Sequence, residues 1–212
     1  MLTKNSCILF TGDSITDCGR DRQNKDSAGH GYVNLIKSHL MFMQPESNFA
    51  VHNTGISGNR IVDLYARLKE DCYNIQPTPN VVSILIGIND VWHEYANNQG
   101  VEAEKFWRMY DIMLGEIDGR LPGVKLVMME PFVLGGGLPI GDYGAWREEL
   151  AIRQSIIKNL AEEYSAVYIP LQSLFDAACY NAPDIYWLYD GIHPTAAGHA
   201  LIADAWQKAV LK

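Results

Sequence analysis

The stretch VVSILI, residues 81–86, decides the fold of this chain, and the turn Gly87-Ile88-Asn89-Asp90 follows it directly. Every residue of the stretch except Ser83 is apolar, so both faces of an extended segment here would be hydrophobic. Strands of this kind lie in parallel sheets that helices cover on both faces. We therefore predict that residues 81–86 form a central parallel strand.

On both sides of this strand, short apolar runs alternate with longer segments of helical periodicity. Four further strands are predicted at residues 7–10, 49–53, 125–129 and 166–169. Apolar residues at helical spacing predict helices over residues 33–43, 61–72, 106–117 and 150–164, and from Pro194 to Val210. Five alternations of strand and helix predict an α/β fold with a five-stranded parallel sheet between two helical layers.

Composition and charge restrict the partners of the chain. Its 212 residues contain no Pro/Gly/Ser-rich linker, so we expect one domain over residues 1–212. A formal net charge of −8 disfavours binding to nucleic acid or to anionic membranes, and a neutral substrate fits better.

Cysteine usage and the N-terminal segment indicate the compartment. The four cysteines (Cys7, Cys18, Cys72 and Cys179) include no C-x-x-C pair, which favours reduced, packed thiols. The first apolar run is too short for a signal peptide, and no stretch reaches the ~20 apolar residues of a membrane span. We therefore expect a cytoplasmic protein without a membrane segment.

Ser14 is the first candidate for chemistry, because it follows the strand at residues 7–10. In open α/β sheets the ligand crevice lies beyond the carboxyl ends of the strands, which is where this hydroxyl would lie. A serine there can also simply cap a helix or turn. It becomes a nucleophile only if a base lies nearby.

The segment Asp190-Gly191-Ile192-His193-Pro194 can supply that base. A spacing of three residues lets the Asp190 carboxylate hold one nitrogen of His193 while the other nitrogen faces Ser14, as acyl transfer from serine requires. The alternative is an aspartate that caps the last helix beside a surface histidine.

Three further groups in the predicted crevice can stabilise an oxyanion. They are the backbone amides of Ser14 and Gly58 and the side-chain amide of Asn89. The alternatives are a plain turn glycine and a turn asparagine bonded to its own backbone. The occurrence of all three groups after successive strands favours the functional interpretation.

Four segments resemble the four sequence blocks of the SGNH (GDSL-type) hydrolases, in the order of that family and over almost the whole chain. They are Gly12-Asp13-Ser14-Ile15-Thr16, Gly58-Asn59, Gly87-Ile88-Asn89-Asp90 and Asp190-Gly191-Ile192-His193-Pro194.

The resemblance implies a three-layer α/β/α sandwich with a flavodoxin-like sheet and no metal or organic cofactor. It implies Ser14 as the nucleophile, His193 as the general base and then acid, and Asp190 as its orienter. It also implies an oxyanion hole formed by Ser14, Gly58 and Asn89.

The longer stretches at residues 11–20, 55–59 and 86–92 resemble the corresponding stretches of small intracellular bacterial carbohydrate acetylesterases, including acetylxylan esterases. This similarity implies an acetylated saccharide as the small-molecule substrate and is compatible with a homo-oligomer. The sequence departs from acetylxylan esterases at Tyr189, where those enzymes have a tryptophan before the catalytic aspartate.

Several residues beside the blocks are candidate substrate contacts. They are Asp13, Trp92, His93, Trp187 and Tyr189. The aromatic rings can stack on a sugar, line an acyl pocket or belong to the core, and His93 is a rival base that has no serine at hand. The aspartates near the site lie in three different loops without metal-ligand spacing, so we expect no metal.

Three alternative functions stay open. A lysophospholipase, thioesterase or arylesterase would use the same four blocks. A carbohydrate-binding protein could retain the pocket without catalysis. A nucleotide-binding module is disfavoured because the chain has no G-x-x-x-x-G-K-[ST] loop.

Overall fold

A computed structural model describes residues 2–211, which are built around one five-stranded sheet. The strands are β1 (Cys7–Gly12), β2 (Ala50–Asn53), β3 (Val81–Leu85), β4 (Lys125–Met129) and β5 (Val167–Ile169). Their order is β2-β1-β3-β4-β5, and every neighbouring pair is parallel. This is the flavodoxin-like order, so the predicted sheet is confirmed, with β3 in its centre.

Helices connect and cover these strands. They are α1 (Ser14–Asp17), α2 (Tyr32–Met43), α3 (Ile61–Ala66), α4 (Ile88–Asn97), α5 (Ala103–Arg120), α6 (Tyr143–Glu163), α7 (Leu171–Ala178), α8 (Asp184–Trp187) and α9 (Ala196–Val210). A 3-10 turn spans Pro45–Ser47, and a π-helical turn spans Lys69–Tyr73.

Alternation along the strands divides the core into two layers. In β3, Val81 and Leu85 join the cluster beneath α2 and α9, whereas Val82 and Ile84 join the cluster beneath α3 and α5. Side chains of a strand alternate between faces, so a strand that is apolar throughout needs a helical layer on each side. The result is the three-layer α/β/α sandwich.

Ser83 is the polar exception within β3, and its hydroxyl has a partner. The buried Trp206 on α9 donates a hydrogen bond from Nε1 to Ser83 Oγ at 2.9 Å. A buried polar group costs little when its hydrogen bond is made.

Several helices differ from the sequence-based expectation. The turn at residues 87–90 is the start of α4, and α1, α7 and α8 were not predicted at all. The last helix begins at Ala196 rather than near Pro194, because the Thr195 side chain accepts a hydrogen bond from Gly198 N and caps it. No helix within residues 2–211 is both long and apolar enough to cross a membrane.

Candidate active site

The carboxyl edge of the sheet brings together residues that are far apart in the chain. Ser14 begins α1 directly after β1, Gly58 lies in the loop after β2, and Asn89 lies in the first turn of α4 after β3. All the strands are parallel, so these three loops emerge at the same edge.

The position of Ser14 is fixed by the start of α1, which the Asp13 side chain caps. Asp13 Oδ1 accepts a hydrogen bond from Ile15 N at 3.0 Å. As the first residue of a helix, Ser14 has a backbone amide with no acceptor inside that helix. The Ser14 hydroxyl lies 3.0 Å from Nε2 of His193.

His193 is oriented by Asp190 on the other side of its ring. His193 Nδ1 lies 2.7 Å from Asp190 Oδ2. Asp190 Oδ1 accepts hydrogen bonds from the backbone amides of Ile192 (3.0 Å) and His193 (2.7 Å). Gly191 has a φ of +80°, a conformation that favours glycine, and a Cβ there would lie 2.6 Å from the Leu134 carbonyl oxygen. Both Asp190 oxygens therefore have hydrogen-bond partners. Nδ1 of the imidazole is held by Asp190, and Nε2 is directed toward Ser14.

Two of the predicted oxyanion donors, Gly58 and Asn89, keep an N–H group without a partner among residues 2–211. Gly58 has a φ of +81°, and no atom lies within 4 Å of the place where a Cβ would be. Its amide makes no hydrogen bond within the described part of the chain. Asn89 is buried, and its Nδ2 donates one hydrogen bond to the Asn59 carbonyl at 3.1 Å. A primary amide has two N–H groups, so a second donor stays available.

Aromatic rings adjoin His193. The Tyr189 ring stacks on the imidazole with a centroid distance of 5.7 Å, and 62% of this residue is exposed. The Trp92 ring lies 5.7 Å from the imidazole and meets Trp146 edge-on. The Trp187 ring packs against Tyr186, and its Nε1 donates a hydrogen bond to the Ala182 carbonyl, so its contact with substrate stays a prediction.

His93 and Asp13 are the other two candidate substrate contacts, and burial shifts the pKa of each. His93, on α4, has a pKa lowered by partial burial and by the neighbouring Arg60. Asp13 is only 1% exposed, and its Oδ2 has no hydrogen-bond partner among residues 2–211. Burial raises the Asp13 pKa to about 7. The hydrogen bond from the Ile15 amide and the charge of His193 lower this pKa, but by less than burial raises it. Asp13 thus acts here as a helix cap, and its contact with substrate stays a prediction.

A cavity of about 700 Å³ lies beside the site rather than in it. Its lining comes from α4, α6 and the loop before α5, and includes Tyr95, Glu149 and Arg153 but neither Ser14 nor His193. The Tyr95 ring stacks on Trp146, which adjoins Trp92, so these rings lie between the cavity and the imidazole. Within residues 2–211 no group of three or more His, Cys, Asp or Glu side chains could hold a metal ion.

Two residues that carry no signal in the sequence support the site from a distance. Trp146, on α6, packs against Trp92. Arg67, just after α3, donates hydrogen bonds to Gly12 at the end of β1 and to Asn59 beside Gly58. Neither belongs to a recognisable local motif. Their contacts depend on where helices pack, which local spacing does not encode.

A hydrogen-bonded Ser–His–Asp series at the carboxyl edge of a parallel sheet is the arrangement of a serine-type hydrolase. The chain is a carboxylic ester hydrolase. Within this class, residues 10–201 match the GDSL-like lipase/acylhydrolase family, and the chain belongs to it.

Individual relatives cover nearly the whole chain. An acetylxylan esterase of Geobacillus stearothermophilus is 34% identical over 209 residues, which cover 96% of this chain and 93% of that protein. A crystal structure described as a GDSL-like lipase from Parabacteroides merdae superposes with a TM-score of 0.93 at 37% identity, covering 99% and 97% of the two chains.

The acetyl-xylooligosaccharide esterase Axe2 of Geobacillus, solved as a mutant, superposes with a TM-score of 0.88 at 31% identity, covering 98% of this chain and 95% of its own. Solved structures of Axe2 include catalytic mutants in which a serine, an aspartate or a histidine is replaced by alanine.

Proposed function

We propose that this protein removes acetyl groups from O-acetylated carbohydrate through an acyl-enzyme on Ser14. The observation that carries the proposal is the continuous hydrogen-bonded series from Ser14 Oγ through His193 to Asp190, with contacts of 3.0 and 2.7 Å. Similarity to an acetylxylan esterase supports the acetyl group and the saccharide.

In the first half of the reaction, His193 Nε2 takes the Ser14 proton while Oγ attacks the acetyl carbonyl carbon. Asp190 stabilises the imidazolium that forms. The carbonyl oxygen becomes an oxyanion and accepts hydrogen bonds from the amides of Ser14 and Gly58 and from the free N–H of Asn89. As the tetrahedral intermediate collapses, His193 gives its proton to the departing sugar oxygen, and acetyl-Ser14 remains.

In the second half, water replaces the sugar. His193 accepts a proton from water, the hydroxide attacks the acetyl carbonyl, and the same donors stabilise the second oxyanion. Collapse breaks the bond to Ser14 Oγ, which recovers the proton from His193, and acetic acid leaves and loses its proton to the solvent. Both halves use the same base and the same oxyanion donors.

Aromatic surfaces beside His193 support a sugar as the leaving alcohol. Tyr189 presents an exposed ring next to the imidazole, and Trp92 adjoins the same ring. Aromatic side chains with an exposed face suit the apolar face of a pyranose, and their polar tips suit its hydroxyls.

The decisive experiment compares substrates. We expect acetate release from acetylated xylo-oligosaccharides, and we expect kcat/KM on p-nitrophenyl esters to fall steadily from acetate to longer acyl chains. Ser14→Ala is the control and should abolish turnover without loss of folding. Preference for long acyl esters would favour the lysophospholipase or thioesterase alternative. Absence of turnover by the unmutated protein on every short ester would favour the non-catalytic binder.

A further inference from the structure

Arg67 links the end of β1 to the loop that follows β2. It directly follows α3, and only 14% of its side chain is exposed. Burial lowers its pKa, and hydrogen bonding to Asp71 opposes that shift. A largely buried guanidinium is costly unless its N–H groups have partners, so these partners indicate what the residue does.

The guanidinium donates hydrogen bonds to the end of β1, to the loop after β2 and to Asp71 in the π-helical turn. Nε donates to Asn59 Oδ1 at 2.6 Å. Nη1 donates to the Thr54 carbonyl at 2.6 Å and also to the Asp71 carboxylate. Nη2 donates to the Gly12 carbonyl at 2.9 Å. One rigid planar group therefore ties the end of β1 to the loop that follows β2.

Two of these contacts lie close to a proposed oxyanion donor. Gly12 lies two residues before Ser14, and Asn59 directly follows Gly58. Asn59 also accepts, through its carbonyl, the hydrogen bond from Asn89 Nδ2 at 3.1 Å. The guanidinium is thus one hydrogen bond from the chain segments that carry Ser14 and Gly58, and two hydrogen bonds from Asn89.

A second tether lies on the other side of Gly58. Asp17 Oδ2 accepts hydrogen bonds from Ser57 N at 3.1 Å and from Ser57 Oγ at 3.3 Å. Gly58 itself has a left-handed φ and a free amide, so its own contacts do not fix its direction. Its neighbours Ser57 and Asn59 are held by hydrogen bonds instead, and they fix the Gly58 amide between them.

We propose that Arg67 is a positioning residue that holds the Ser14, Gly58 and Asn89 donors at the spacing an oxyanion requires. This inference rests on the proposed function. Oxyanion stabilisation depends on donors that are oriented before the reaction begins, so a residue that fixes their spacing acts on kcat more than on ground-state binding. The competing explanation is that Arg67 only stabilises the fold through its ion pair with Asp71.

The test uses Arg67→Met and Arg67→Lys, with Asp71→Asn as the matched control. We expect both Arg67 variants to lose roughly 10²-fold in kcat on p-nitrophenyl acetate, as for a displacement of about 1 Å within a site, with KM within about threefold. Lysine keeps the charge but cannot reach three acceptors in a planar fork, so it should not rescue kcat. Asp71→Asn removes the charge of the ion pair but keeps an amide oxygen as an acceptor and leaves the loop contacts, so kcat should stay within about twofold of wild type.

Thermal unfolding separates positioning from folding. Full kcat in a folded Arg67→Lys variant, or a loss in Asp71→Asn equal to that in Arg67→Met, would overturn the proposal. Activity that falls only in proportion to the folded fraction in both Arg67 variants would overturn it as well.

A double-mutant cycle with Asn89→Ala tests the route of the effect. If Arg67 acts through the oxyanion hole, the double variant should lose far less than the product of the two single losses. Multiplicative losses would overturn the proposal. An active Ser14→Ala variant would refute the proposed function itself, whereas an inactive Ser14→Ala variant beside a fully active Arg67→Met variant refutes only this inference.

Discussion

Asp190→Asn replaces one carboxylate oxygen by an NH₂ group, and the backbone determines which oxygen is replaced. Asp190 Oδ1 accepts two hydrogen bonds, from the amides of Ile192 and His193. An NH₂ group in that place would face two donors, so the amide oxygen of the asparagine stays there. The NH₂ group then takes the place of Oδ2, 2.7 Å from His193 Nδ1.

This orientation forces the wrong tautomer of the imidazole. His193 Nδ1 must accept from the NH₂ group, so the ring proton moves to Nε2, which lies 3.0 Å from Ser14 Oγ. A protonated Nε2 cannot take the serine proton. We expect kcat to fall about 10⁴-fold, as the equivalent substitution does in a serine protease triad, which corresponds to ~5.4 kcal/mol of transition-state stabilisation. KM should change little, because Asp190 is oriented toward the histidine rather than toward substrate.

The assay is p-nitrophenol release from p-nitrophenyl acetate, with thermal unfolding of each variant recorded in parallel. Asp204→Asn is the matched control, because it makes the same chemical change on the exposed face of α9, where Asp204 pairs with Lys208. The control should keep wild-type kcat. A folded Asp190→Asn variant that retains more than a tenth of wild-type kcat would refute the orientation argument.

Three further predictions test other parts of the molecule. Asn89→Ala should lower kcat by about 10²–10³ with KM nearly constant, since one oxyanion donor is lost; an unchanged kcat would remove Asn89 from the oxyanion hole. Trp206→Phe should lower the free energy of unfolding in urea by about 2–4 kcal/mol, because it leaves the buried Ser83 hydroxyl unpaired and the core underfilled. Adding Ser83→Ala should restore part of that loss, and no restoration would contradict the role of the hydrogen bond. Burial lowers the His199 pKa to about 4, so below about pH 6.5 the unfolded chain binds a proton that the folded chain does not. The stability of wild type relative to His199→Gln should therefore decrease as the pH falls from 6.5 toward 4, and urea titrations that show a constant difference would contradict this.

Local sequence determined the elements that build the sheet. The run at residues 81–86 is apolar on both faces, and it forms the central strand β3 between two helical layers. The end of β4 at Met129 matches the prediction, and the predicted start of β2 at Phe49 is one residue from the observed start at Ala50. The periodicity of apolar residues indicates which residues are buried, and few folds contain a strand that is buried on both faces.

Helices that begin at functional turns were harder to predict. Residues 87–90 were expected to form a turn, yet Ile88 begins α4, so Asn89 is held by a helix rather than by a flexible loop. Similarly, α1 has only four residues and depends on the Asp13 cap. A segment as short as α1 carries too little periodicity to be recognised, and tertiary contacts stabilise it.

By itself, the sequence determined the fold class and identified the residues proposed for catalysis, because strand burial and the four blocks are local properties of the chain. Only the tertiary structure decided that Ser14 and His193, 179 positions apart, lie within hydrogen-bond distance. It also decided that Asp13 is buried as a helix cap and that Arg67 joins the end of β1 to the loop after β2. These features depend on how packed helices and strand ends converge in space, and no spacing along the chain records that convergence.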